Sequence, residues 1–242
     1  MDALIYTVMS GAERALHAQQ VHANNLANLD TPGFRADLEL ASSQAVDGYG
    51  YDTRHLSELK ANAVSTREGT VKSTGRDLDV ALQGPGYLAV EHGTGEAYTR
   101  AGTLQVDADG ALTLNGRPVL GQGGPIVLPP YTRVEIGTDG SISVQPAGET
   151  EMQTVDQLKL VKADGKDLTK NAAGLIVARD GQPLDADDSV RVRSGFLEGS
   201  NVGAVEEMVA TMTINRDFEM QMKLYQAADS MTQTGNRLIR GE

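Results

Sequence analysis

NNLANLDTPGF, residues 24–34, closes a run that reads as an amphipathic helix. Asn24, Asn25 and Asn28 cluster there, and then Thr31, Pro32 and Gly33 stop the helix. Asn is a mediocre helix former, because its amide competes for nearby backbone groups. One reading is simple fraying and capping, since the residue before Pro is pushed out of the helical region. The other is a polar register device, because a buried Asn with a partner penalises every misaligned packing. The three amides together favour the device, and backbone groups of neighbouring chains are their expected partners. Pro32 and Gly33 then turn the chain, and Phe34 is expected to anchor the connector against the helices.

Upstream of this run, from Ala3 to about Asn28, there is no Pro, and only Gly11 interrupts good helix formers. Two neighbouring seams step by heptad spacing. One is Leu4, Val8, Gly11, Ala15, Ala18, His22, Asn25, Leu29; the other is Ile5, Met9, Ala12, Leu16, Gln19, Ala23, Leu26. Their small side chains let another helix approach closely. The interface residues expected on this helix are Leu4, Ile5, Val8, Met9, Ala12, Ala15 and Leu16.

The C-terminus mirrors the N-terminus. Ser200 and Asn201 read as a helix start, and Glu206 and Glu207 follow where the helix dipole favours acids. The rest of the chain then runs without Pro. Apolar steps at Val205, Val209 and Met212 resume at Met220, Leu224, Ala227, Met231 and Leu238, and the heptad phase slips near Arg216 and Asp217. These eight positions are the expected interface of the C-terminal helix, a face that rotates along its length. Its methionines suit irregular packing.

The middle changes period. DLDVALQGPGYLAV alternates at Leu78, Val80 and Leu82 and breaks at the Gly-Pro-Gly turn. TLQVDADGALTL and RVEIGTDGSISV then repeat one grammar, with Asp109-Gly110 and Asp139-Gly140 between alternating apolar residues. Those residues share a face only if each loop has three residues, with Gly110 and Gly140 left-handed in a G1 bulge. Further strands are expected at 157–162, 173–179 and 189–193, while 44–75 has no sustained period. The fold class is therefore α+β: long N- and C-terminal helices packing as a coiled-coil-like pair, with an inserted, mainly antiparallel β domain. The divisions are an N-terminal helix over 1–30, an extended connector over 31–75, a β-rich domain over 76–195 and a C-terminal helix over 196–242.

Little in the sequence points to chemistry. The formal net charge is −12, which argues against a nucleic-acid partner or an anionic lipid surface. There is no cysteine, so disulfides and thiolate catalysis are excluded. No apolar run reaches the ~18 residues of a membrane span, and the N-terminus lacks the pattern of a cleaved secretory signal. His17, His22, His55 and His92 form no metal-binding pair at i,i+4. EGTVKSTG fails as a phosphate loop, and GPGYLA lacks the third Gly of a dinucleotide fingerprint. DADG at 107–110 opens like a calcium loop, but Gly116 stands where the closing Glu belongs. No catalytic residue, metal ligand or cofactor is assigned. Apolar seams at both ends with no chemistry between them point to assembly.

Here the residues carry a resemblance. ANNLANLDTPGF closely matches the A-N-N-L-A-N-x-x-T-x-G-F signature shared by bacterial flagellar rod and hook proteins, at Ala23, Asn24, Asn25, Leu26, Ala27, Asn28, Thr31, Gly33 and Phe34. IYTVMSGAERALHAQQ, GFRADL, STGRDLDVALQGPGYLAV, AYTRAGTLQVDADGALTLNGRPVLG and LEGSNVGAVEEMV are also similar to that family. Gly203 departs from it, standing where Asn is common, and is expected to loosen the start of the last helix. The resemblance implies a structural subunit whose paired terminal helices line a hollow, torque-transmitting rod in the periplasm, with the β module outside them. It implies export by the flagellar type III apparatus without a cleaved signal. The implied partners are copies of the chain, the other proximal and distal rod proteins and the export apparatus, with no nucleic acid and no membrane insertion. The alternatives are another axial subunit of the family or, from a different class, a secreted binding or enzymatic β module with helical oligomerisation ends.

Overall fold

The computed structural model describes residues 2–45, 55–93, 95–171 and 173–240, and within them all side chains but those of 2–4, 40–45, 55–62 and 239–240. By its contacts the chain divides into two compact units. One joins residues 1–27, 37–62 and 203–242; the other joins 28–36 and 63–202. The α+β class read from the sequence is the one observed.

The first unit is built on two helices, α1 (Asp2–Ala27) and α2 (Ala204–Arg240). Neither is long and apolar enough to cross a membrane. They run antiparallel: His22 of α1 meets Glu207 near the start of α2, and Gly11 meets Gln221 further along. The buried seam of α1 is Ala15, Ala18, Val21 and Asn25. Small residues there bring the axes together, and a Cβ on Gly11 would stand 2.9 Å from Gln221 Nε2. The covered face of α2 is Glu207, Thr211, Ile214, Phe218, Gln221, Ala228, Thr232 and Gly235, which keeps one heptad phase from end to end. The phase slip near Arg216 belongs to a different face.

α2 begins later than its sequence signal suggests. Ser200 and Asn201 precede the helix, and the Gly203 carbonyl accepts the Glu207 amide at 3.0 Å as the first intrahelical bond. Gly is well tolerated at that capping position. Asn201 is absent from the cap because its amide is engaged elsewhere, as described below. The 44–75 stretch, which shows no period, contains ordered strands, although residues 46–54 lie outside the described residues. β1 (Asp37–Ala45) and β2 (His55–Val64) form a two-stranded sheet, and β3 (Val71–Ser73) pairs with Phe196–Glu198. A ribbon whose partner lies ten or more residues away leaves no local turn signal to read.

The second unit is a β module in which every pairing among the described residues is antiparallel. Its largest sheet orders five strands as Leu160–Val161, Tyr87–His92, Gly95–Thr99, Ile176–Ala178 and Leu168–Lys170. The two expected hairpins form with one geometry. Leu104 faces Leu114 and Val106 faces Leu112 in the first; Val134 faces Val144 and Ile136 faces Ile142 in the second. Asp107 and Ala111 close one three-residue loop through a 3.0 Å bond, and Gly137 and Ser141 close the other at 2.8 Å. Gly110 and Gly140 have φ of 82° and 85°, the left-handed residue that a G1 bulge requires. Both hairpins turn their apolar faces into a core shared with Val80, Leu88, Val90 and Val119. A smaller core gathers around Tyr87, Tyr98, Val161 and Leu168.

Candidate functional site

The candidate assembly motif, residues 23–34, is divided between the units: 23–27 belong to the helical unit and 28–34 to the β module. Each half has its own chemistry.

In the helical half, one of the three asparagines is buried. Asn25 is 1% exposed, Asn24 is exposed and Asn28 is half-buried. The Asn25 side chain pairs with the backbone of Asp37 as another strand would. Its Oδ1 accepts the Asp37 amide at 2.9 Å, and its Nδ2 donates to the Asp37 carbonyl at 3.1 Å. Nδ2 also reaches Glu207 Oε1 at 3.3 Å, while His22 Nδ1 stands 2.5 Å from Glu207 Oε2. One amide thereby ties α1 to α2 and to β1. The partners expected for it in neighbouring chains lie within its own chain, because the β1 backbone folds back against the helix end. Asn25→Ala removes all three bonds, two of them to the half-buried Asp37 backbone. It is expected to cost the helical unit about 2–3 kcal/mol, read as the thermal midpoint of helical circular dichroism. A loss below about 0.5 kcal/mol would show that the amide is dispensable.

In the β half, the chain makes a type II turn. The Phe34 amide donates to the Thr31 carbonyl at 3.2 Å, and Gly33 takes φ of 70°. Thr31 is exposed and its Oγ1 bonds Asn28 Oδ1 at 3.1 Å. Gly33 is buried, and its amide donates to the Glu198 carbonyl at 2.8 Å. Phe34 is half-buried, with Lys170 Nζ 3.8 Å from its ring centroid. The partner of that ring is thus a β-module cation, where the sequence suggested the helices.

Beyond the turn lies a buried polar hub. Arg35, Arg100 and Glu198 are 2%, 1% and 2% exposed. Glu198 Oε1 accepts Arg35 Nη2 at 2.8 Å and the Gly69 amide at 2.8 Å. Glu198 Oε2 stands 3.1 Å from Arg100 Nε as an ion pair, off the line of a hydrogen bond. Arg35 also donates to the Arg67 carbonyl, and Arg100 Nη1 donates to the carbonyls of Gly84 and Gly86 at 2.8 and 3.0 Å. Burial, and then the like charge of Arg35, holds the Arg100 guanidinium below its ordinary range, with Glu198 opposing. Burial raises the neighbouring Tyr87 phenol. Asn201 completes the hub. Its Oδ1 accepts the Ala36 amide at 2.7 Å, and its Nδ2 donates to the Arg67 carbonyl at 2.7 Å and to Ser65 Oγ at 3.1 Å. Sequence reasoning missed Arg35, Arg100 and Glu198 and read Asn201 as a helix start. For two of them a signal was present: Arg35 directly follows Phe34 in GFRAD, and Glu198 directly follows Phe196 and Leu197 in FLEGSN.

The expected interface residues of the helices fall on two sides. On α1, Ala15 is buried and Ile5, Val8, Ala12 and Leu26 are half-buried. Met9, Leu16, Ala23 and Ala27 are exposed, and Leu4 lies outside the described side chains. On α2, Val205, Val209, Met212, Met220, Leu224, Met231 and Leu238 are between 52% and 77% exposed, and Ala227 is exposed too. These eight lie off the covered face of α2, as a separate, exposed apolar stripe. Among the described residues there is no group of acids and histidines that could hold a metal.

Three family models match the chain in register with these features. One described as flagella basal body rod protein matches residues 5–35. The flagellar hook protein FlgE/F/G D1 domain matches 81–144. The flagellar basal body rod FlgEFG protein C-terminal model matches 193–238. The flagellar basal-body rod protein FlgF of Salmonella typhimurium (strain LT2) is 42% identical over 248 residues, spanning 99% of each chain. The chain belongs to the flagellar basal-body rod family. FlgF of Escherichia coli (strain K12) is likewise 42% identical over 99% of each chain. FlgG of Bacillus subtilis (strain 168) is 31% identical over 95% of this chain and 96% of that one. The hub draws Arg35, Arg100 and Glu198 from the three matched segments, one from each.

Proposed function

We propose that this chain is a structural subunit of the flagellar basal-body rod, of the FlgF kind, joined to its neighbours through the outward faces of α1 and α2. The observation that carries the reading is the α2 stripe from Val205 to Leu238, apolar and turned away from the chain's own helix partner. Burying the exposed part of each such side chain contributes about 1 kcal/mol. Eight of them approach the ~4–15 kcal/mol lost on association. Contacts with several neighbours then make addition to a growing shaft favourable, while a dilute monomer stays apart. The periplasmic part of the basal body is the compartment this role requires. The chain reaches it through the flagellar export apparatus, without a cleaved leader, and its partners are copies of itself and other rod subunits. Transmission of torque is the work, and no catalytic step enters.

The test is a chain shortened to residues 1–203, produced in cells lacking the intact subunit. No swimming, and no shortened chain in purified basal bodies, is expected. Swimming at wild-type rates from the shortened chain would place the function in the β module and end the assembly reading.

A further inference from the structure

The hub joins four places that are far apart in the chain: 33–36, 65–69, Arg100 and 198–201. The last of these supplies the carboxylate that meets both buried guanidinium groups. We propose that residues 198–201 are a closing lock: the β module has no stable folded state until this segment, its last in chain order, has docked.

Charge carries the argument. Arg35 and Arg100 are both buried beside Glu198 and repel one another. Glu198 opposes that repulsion, with Glu68 adding a weaker attraction. Removing one partner of a buried ion pair leaves an uncompensated charge, which is far more costly than losing a surface pair. Here removal would leave two like charges together.

The effect is not confined to the lock. Arg100 also holds the Gly84 and Gly86 carbonyls, in the turn that leads into Tyr87–His92 of the five-stranded sheet. Expelling its guanidinium to water would open that turn. β3 has all three residues exposed and pairs, among the described residues, with Phe196–Glu198. A three-residue strand in a two-stranded pair has no stability of its own. Asn201 and its backbone hold 34–36 and 65–67 together through five further bonds. The two hairpins need none of this, since their pairings are local. A chain emerging N-terminus first would form hairpins early and leave the module open until residue 201 arrives. The device would keep the module from closing until nearly all of the chain is available.

Native-state hydrogen exchange on the intact wild-type chain tests the lock. The amides of Gly33, Gly69, Gly199 and Asn201 are expected to open with the core amides Ala89, Leu112 and Val119, at rates within about threefold. Local opening of those four, tenfold or more faster while the core stays protected, would overturn the proposal. The segment would then be a strap laid on a finished module. In full-length Glu198→Gln, protection is expected to fall about 100-fold or more across residues 76–195. Loss confined to 65–73 and 196–201 would overturn the proposal independently.

Discussion

Val209→Asp combined with Met212→Asp is expected to abolish swimming while leaving the monomer folded. Both side chains point away from α1, at 58% and 59% exposure. In the free chain the new carboxylates stay in water, so the direct cost is the lower helix propensity of Asp, about 0.5 kcal/mol at each site. The helical signal should therefore melt within a few degrees of wild type. On the proposed assembly, the same face is covered by a neighbour in the rod. Each unpaired carboxylate taken out of water then costs several kcal/mol, enough to cancel what the whole stripe contributes. The measurements are the thermal midpoint of the purified chain, swimming in soft agar and the amount of variant in isolated basal bodies. Ile214→Asp, two residues along but on the covered face, should instead lower the midpoint of the monomer. If the double variant swims like wild type, the α2 stripe is not the assembly face.

The two faces of α2 also mark the limit of what the amino-acid sequence discloses. The N-terminal seam through Ala15, Ala18 and Asn25 was legible, because small residues recurring at heptad spacing have few other uses. The hairpins were legible down to their loops, because alternating apolar residues around Asp-Gly admit one register. The inner face of α2 was not. Thr211, Gln221, Thr232 and Gly235 carry little apolar signal, while the valines and methionines on the outer face carry much. What makes Gln221 an interior residue is Gly11 on another helix, a fact about pairs and not about either run. The hub was hidden for the same reason. Glu198 and Gly69 are 129 residues apart, and His22 and Glu207 are 185 apart. Asn201 misled because the amide that caps helices also suits a backbone bridge, and only tertiary structure chooses between them.

Gly33→Ala is expected to be the most damaging single methyl group in the motif. Two independent costs meet at this position. Gly33 has φ of 70°, where a side chain costs about 1–2 kcal/mol. A Cβ there would also stand 2.1 Å from the Ala101 amide nitrogen and 2.2 Å from the Arg100 carbonyl carbon. Those are backbone atoms, so relief requires moving the strand end that carries Arg100, and with it the ion pair to Glu198. Strain from overpacking adds about 1–3 kcal/mol, giving roughly 2–5 kcal/mol in all. For a module of this size the midpoint should fall by about 5–20 °C. Gly181→Ala is the control. Its φ is 72°, but nothing lies within 4 Å of its Cβ position, so it bears the conformational cost alone. The difference between the two variants isolates the close approach of the turn to residues 100–101. If they melt together, the turn relaxes freely, and the β half of the motif is a flexible bend and not a docked element of the module.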